Sequence, residues 1–474
     1  MLASMGGTIN RRTLLIGGAA LSISQSFNRT AFAEPSVKIV EISAAPARLS
    51  IGGEPRRPTD VWCYGNSVPG PEIRLRQGER ARIVMRNNLP VNTTVHWHGI
   101  RLHNSMDGVP GITQPPIKPG ETFAYEFTPP DAGTFWYHPH ADSLQQLGRG
   151  MAGVLVVEEP SPQPFDRELV WMVGDWRLTP DAQIATGFGS ATEAAMSGRI
   201  GNTITVNGVV ADEVAVRAGE RVRFRIVNGA LARIIRLRFD GHRPVVVAID
   251  GQPCDPHEPA TGRVLLGPGM RVDLLIDMQG HPGRSYQIVD EFYPGLTYSL
   301  AKFFYQDEAL PRRLPFGNTQ SLPQNPLPEP DLETAERHQL RLQGGVMGGA
   351  MMGTGRVRGM SHEASWAING KSMTGDGHAG MPPLLNLRLG RSYRLAIRNE
   401  TAWWHPIHLH GFSFRVLSRN GSPVPHRQWA DTVLLPPKNS TEIAFVAERE
   451  GDWMLHCHVI DHQVSGMMAV LRVA

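Results

Sequence analysis

One short unit occurs three times in this chain of 474 residues and limits what the chain can fold into. Gly78 of Arg76-Gln77-Gly78-Glu79-Arg80 is followed nine residues later by Asn87. Gly219 of Arg217-Ala218-Gly219-Glu220-Arg221 leads by the same nine-residue step to Asn228, and Gly390 of Arg388-Leu389-Gly390-Arg391 leads to Asn399. Between each Gly and its Asn, polar and apolar residues alternate, as Val222, Phe224 and Ile226 do against Arg221, Arg223 and Arg225. That period of two predicts a half-buried strand. A turn pair stands upstream of each copy: Gly65-Asn66, Asn207-Gly208 and Asn369-Gly370. The copies are too far apart for a short-repeat solenoid and predict an all-β chain of three β-sandwich domains. The 50 Gly and 38 Pro agree with many turns and short strands. We place the domains at 36–160, 161–310 and 335–474. Residues 311–330 hold six Pro, so 311–334 reads as an extended linker.

The copies differ in one respect. Nine and eleven residues after Asn87 stand His96 and His98, and at the same offsets from Asn399 stand His408 and His410. The same offsets from Asn228 give Leu237 and Phe239. A second pairing follows Gly133 with His138 and His140, and Gly451 with His456 and His458. Side chains at i and i+2 of a strand share a face. Four such pairs present eight imidazoles, too many for one mononuclear site, and predict a multinuclear metal cluster between the first and third domains. Cys457 lies between two of these histidines and must face the other way. His405, at an odd offset from His408, also turns away from that pair. His405, Cys457, His462 and Met467 can then form a separate site. Two His, one thiolate and a more distant Met are the ligands of a blue-copper electron-transfer centre. Zinc seldom needs so many imidazoles.

Charge and cysteine content narrow the setting. The net charge is +3, and Arg11, Arg12 and Arg29 account for it within residues 1–33, which lack Asp, Glu and Lys. The remainder is charge-balanced, which argues against nucleic acid as a partner. Arg11-Arg12, an apolar stretch ending near Ser22 and Ala31-Phe32-Ala33 before Glu34 read as a twin-arginine signal peptide over 1–33. Such a signal predicts use of the twin-arginine export machinery and a periplasmic or secreted protein. No apolar run is long enough to span a membrane. Three Cys are too few for a disulfide scaffold. With Cys457 assigned to the metal site, Cys63 and Cys254 either bridge the first and second domains or remain free thiols.

These four histidine motifs, in this order, resemble those of the three-domain multicopper oxidases, the family of laccases and bacterial copper oxidases. The resemblance covers residues 36–474. It implies cupredoxin-like Greek-key β-sandwiches and four copper ions. It implies type 1 copper on His405, Cys457, His462 and Met467, and type 2 copper on His96 and His408. It implies a type 3 pair on His98, His138, His140, His410, His456 and His458. The implied reaction is one-electron oxidation of a reducing substrate at type 1 copper, with four electrons reducing dioxygen to water at the trinuclear cluster. Cys457, covalently next to His456 and His458, offers a through-bond electron route.

Oxygen reduction consumes protons, so a carboxylate near the cluster is expected. Asp107, in Met106-Asp107-Gly108, stands where many bacterial members carry such an acid, though Asp before Gly also suits a turn. Many bacterial members also have Glu directly after the last His, where this chain has Gln463 and places its acid at Asp461. Residues 344–381 hold six Met, with His362 and His378, and Met thioethers suit Cu(I). Trp403 and Trp404 beside His405 suit an aromatic donor instead. The reductant is therefore read as a phenol or aromatic amine, or Cu(I). The alternative is a periplasmic copper-tolerance protein that stores or sequesters copper. Such a protein would share the Met and His but would not need a Cys flanked by two His.

Overall fold

The structure is a computed structural model, and it describes residues 37–53, 57–161, 164–311, 319–346, 365–375 and 379–474. The signal segment, most of the Met-rich stretch, His362 and His378 lie outside the described residues.

Strands pair into three sandwiches, each with its own apolar core. In the first, a sheet of Thr59–Tyr64, Lys38–Leu49, Ala81–Asn87 and Thr122–Phe127 faces a sheet of Gly70–Arg76, Gly153–Glu158, Gly133–His138 and His96–His98. Ile83, Trp97, Tyr125 and Leu155 fill the space between. In the second, six strands centred on Arg221–Asn228 and Arg271–Asp277 face five centred on Ser285–Asp290. Leu237 and Phe239, which replace the histidines of the other two sandwiches, are core residues here. In the third, Glu336–Gly344, Ser392–Asn399, Ser440–Val446 and Phe414–Arg419 pack on the sheet containing Met468–Val473, Gly451–Cys457, His405–Leu409 and Thr432–Leu435. Among the described residues no helix is long and apolar enough to cross a membrane.

The repeated asparagine has the same task each time. Asn87, Asn228 and Asn399 end equivalent strands and are fully buried. Asn87 Nδ2 donates to the carbonyls of Val91 and Ile117, both at 2.8 Å, and its Oδ1 accepts from the amide of Leu89. Asn228 does the same with Arg233, Leu266 and Ala230, and Asn399 with Trp403, Pro436 and Thr401. Each amide thereby satisfies the polar backbone of a buried loop that irregular structure would leave unpaired. In the first and third sandwiches that loop leads into a histidine strand. The upstream turns are also equivalent, with positive φ at Gly65 and Asn66, at Asn207 and Gly208, and at Asn369 and Gly370.

One expectation fails. Arg221–Asn228 is buried on both faces, with Arg223 and Arg225 only 1% and 2% exposed. Its polar side faces the first sandwich, and Arg223 and Arg225 both reach Asp273 of the neighbouring strand, at 2.8 and 2.7 Å. Glu159, Glu168 and Thr134 complete the network. Alternation correctly gives two faces, but an ion-pair network closed by another domain buries the polar one. The cysteine alternatives also resolve: Cys63 and Cys254 are both buried free thiols in separate cores. The described part of the linker is extended and anchored to the sandwiches. Leu322 is buried, and Asn325 Nδ2 donates to Ala132 O and Gln252 Oε1.

Candidate metal centre

Two strand pairs build the site. His96–His98 runs antiparallel to Gly133–His138, with His96 opposite His138. His405–Leu409 runs antiparallel to Gly451–Cys457, with His408 opposite His456 and Ile407 opposite Cys457. Register and parity thus place imidazoles opposite one another on one face of each pair. The two pairs then meet. His98 stacks on His408 with centroids 3.7 Å apart, and His96 on His410 at 3.9 Å. His138 lies 5.3 Å from His458, and His140 lies 5.2 Å from His456. All eight rings are essentially inaccessible to solvent. Their nitrogens form converging triplets, His96/His98/His138, His96/His408/His410 and His140/His410/His456.

These residues fit a metal on their own chemistry. His96 Nε2, His98 Nδ1, His138 Nε2, His408 Nε2 and both nitrogens of His458 are buried without a hydrogen-bond partner. Buried polar atoms are rarely left so, and several together point to ligand atoms. The opposite nitrogens are held. His96 Nδ1 faces the Asp107 carbonyl and His408 Nδ1 the Asp431 carbonyl, both at 2.9 Å. His138 Nδ1 faces the carbonyl of Pro139. Such contacts fix the tautomer and aim the free nitrogen. Burial, followed by the neighbouring rings, pushes His98, His138, His140, His410 and His458 well below the ordinary histidine value. Neutral imidazole is the ligating form.

The second site lies on the reverse of the Cys457 strand. Cys457 Sγ is 3.5 Å from His405 Nδ1 and 3.6 Å from His462 Nδ1, and the two nitrogens are 3.1 Å apart. Each ring is anchored through Nε2, His405 to the Thr401 hydroxyl and His462 to the Met196 carbonyl, both at 2.8 Å. Met467 is buried in the same core, its carbonyl accepting from the Cys457 amide and its amide donating to the His462 carbonyl. Burial alone raises the Cys457 thiol far above its ordinary value, so a thiolate here needs an adjacent cation. Trp366 shields both rings, at 4.9 Å from His405 and 4.3 Å from His462.

Asp107 sits in the turn after Asn104–Met106 and also points inward. Its Oδ2 is 2.8 Å from His410 Nδ1 and its Oδ1 is 3.3 Å from His96 Nδ1. The two roles are therefore compatible. Gly108, at φ 84°, lets the turn close, since a Cβ there would meet the Val95 carbonyl at 1.9 Å. Asp461 accepts from the Arg199 amide at 2.8 Å and engages the second sandwich. Gln463 is buried with neither amide atom partnered.

Sequence reasoning missed a second carboxylate. Asp431 Oδ1 lies 3.2 Å from His98 Nε2 and 3.3 Å from His408 Nδ1. Arg271 of the second sandwich holds it from behind at 2.6 Å. Asp431 belongs to no repeated pair, and Arg271 lies in the domain without histidine motifs. No signal in the sequence singles them out.

Sequence profiles described as multicopper oxidase match residues 49–162, 167–302 and 356–474. The multicopper oxidase MmcO of Mycobacterium tuberculosis is 30% identical, over 90% of this chain and 85% of its own length. A laccase of Cryphonectria parasitica is 27% identical, over 86% and 77%. The crystal structure of a multi-copper oxidase from Pseudomonas thermotolerans superposes with a TM-score of 0.81 at 35% identity, covering 93% of this chain and all of the other. Three cupredoxin-like β-sandwiches, two buried ligand clusters and these likenesses place the chain in the multicopper oxidase family, as a copper-dependent oxidase that uses dioxygen and a reducing substrate.

Proposed function

We propose that the chain binds four copper ions in the family's three site types. His405, Cys457, His462 and Met467 would hold type 1 copper, and His96 and His408 type 2 copper. His98, His138, His140, His410, His456 and His458 would hold the type 3 pair. The observation that carries this reading is the division of the Cys457 strand. Its two neighbours in sequence, His456 and His458, join the eight-imidazole cluster, while Cys457 faces His405 and His462. Bound copper would supply one-electron acceptance at the cysteine site and four-electron reduction of dioxygen to water at the cluster.

The protein's own groups do the rest. The main chain of Cys457 links the two sites directly. Asp107, on His96 and His410, holds protons beside the cluster and passes them toward it, with water and Gln463 serving as the second route. Asp431 orients His98 and His408. Trp366 and the Met196 carbonyl, which is 2.8 Å from His462 Nε2, exclude water from the cysteine site. The reductant is a phenol or aromatic amine, for which half-buried Trp403 beside His405 provides a flat apolar contact, or Cu(I), which the Met-rich segment 344–381 would recruit. Residues 1–33 direct twin-arginine export to the periplasm or beyond, and the mature chain divides at 36–160, 161–310 and 335–474.

Oxygen uptake by the copper-loaded protein with Cu(I), Fe(II), Mn(II) and a phenol panel tests the reading. Uptake stoichiometric with one-electron donors supports it. Copper-loaded protein that shows no blue absorption and consumes no oxygen with any donor would favour copper storage.

A further inference from the structure

A cavity of about 360 Å³ opens between the second and third sandwiches. This is within the size range of small-molecule sites. Val246, Ile249, Leu266, Met270, Leu434 and Trp404 form its apolar wall, with Trp404 set edge-on to Phe292 at 5.4 Å. Arg263, Arg419, Asn420, Gln428 and Asn439 form a polar side, and no carboxylate is among the described lining residues.

The two arginines differ. Arg263 is paired with Glu291 at 2.9 Å, an acid it shares with Arg238. Arg419 makes one hydrogen bond, from Nη1 to the Leu434 carbonyl at 3.2 Å, and no ion pair among the described residues. The fully buried guanidinium groups of Arg101, Arg223 and Arg271 are answered by Asp131, Asp273 and Asp431, whereas half-buried Arg419 faces the cavity without an acid among the described residues. Burial lowers Arg419 from the ordinary arginine value with no opposing carboxylate. Arg419 is half-buried at the cavity wall, and an uncompensated guanidinium there leaves its fork open to an anionic ligand. Guanidinium presents a planar fork that matches a carboxylate. The facing indole and aliphatic wall match a flat apolar body.

We propose that this cavity binds an aromatic monocarboxylate, its carboxylate on Arg419 and its ring against Trp404. The site is independent of the copper assignment, because none of its lining residues is a proposed ligand. Arg263 already has a carboxylate partner in Glu291 and Arg419 has none among the described residues, which favours a single negative charge over a dianion.

Cinnamate is a suitable probe because it lacks a phenolic hydroxyl and is not itself an oxidase donor. Titration calorimetry on the copper-loaded protein should show cinnamate binding at least tenfold more tightly than neutral cinnamamide. Arg419→Gln should weaken cinnamate about tenfold or more and leave cinnamamide unchanged, and Arg419→Lys should fall between. Trp404→Leu should weaken both ligands. Without ligand, Arg419→Met should melt no lower than the parent, since it removes an unpaired charge. Equal affinity for acid and amide, undiminished cinnamate binding by Arg419→Gln, or no cinnamate binding at millimolar concentration would each overturn the proposal. If Arg419→Gln does not fold, the acid–amide comparison on the parent and the Trp404→Leu titration decide it.

Discussion

Arg271 Nη2 donates to Asp431 Oδ2 at 2.6 Å across the boundary between the second and third sandwiches, and neither side chain is more than 1% exposed. Asp431 in turn touches His98 of the first sandwich and His408 of the third. The sandwich without histidine motifs therefore takes part in aiming the imidazoles. Burial raises the Asp431 carboxyl, but Arg271 and then His408 together hold it far below its ordinary value. Arg271→Met should leave Asp431 and Asp250 buried without their cation and destabilise by about 3–5 kcal/mol. Asp431→Asn should fold but bind copper roughly 10–100-fold more weakly, as loss of a ligand-orienting group does. Calorimetric melting and copper titration measure the two effects, and unchanged copper affinity in Asp431→Asn would remove its orienting role.

Cys457→Ser should abolish the blue absorption and all oxidase activity, because the thiolate is both chromophore and electron entry. The fold and most cluster copper should persist, since one ligand is small beside three cores. Absorption spectra, metal analysis and oxygen uptake check this, and an active variant would refute the assignment of Cys457.

Met467→Leu should keep copper and raise the type 1 potential, because losing a thioether donor destabilises Cu(II) relative to Cu(I). A redox titration giving a lower potential would mean that Met467 is not the axial ligand.

Asp107→Asn should slow reoxidation by dioxygen while leaving anaerobic bleaching of the blue colour unchanged. The amide keeps size and contact with His410 but cannot carry the proton. Gln463→Glu should partly restore the rate if proton supply limits turnover. Stopped-flow reoxidation as fast as the parent would reduce Asp107 to a turn residue.

Asp273 links stability to pH at the interface of the first and second sandwiches. Burial raises its carboxyl, but Arg225 and Arg223 outweigh burial and hold it below the ordinary value. A carboxyl lowered on folding stabilises above its unfolded value of about 4 and loses that contribution as pH falls toward the folded one. Asp273→Asn should therefore melt lower at neutral pH, by about 1–3 kcal/mol in stability, since each arginine loses one acid and keeps Glu159 or Glu168. The difference should shrink in acid. A pH-independent gap between the two melting curves would argue against this linkage.

Sequence by itself determined the three-sandwich plan and the sorting of ligands into two groups. Both follow from local rules: the Gly-to-Asn spacing repeats a strand and its loop clamp, and strand parity forces His456 and His458 to one face and Cys457 to the other. Asp107 was legible only through the family resemblance, since Asp before Gly by itself reads equally as a turn. Tertiary structure alone decided which imidazoles meet, such as His98 with His408, because these pairs join residues more than 300 positions apart through docking of separate sandwiches. It also decided that Arg223 and Arg225 are buried, that Cys63 and Cys254 stay apart, and that Asp431 is braced by Arg271. Each of these depends on which surface of another domain covers a residue, and periodicity reports faces without naming what lies against them.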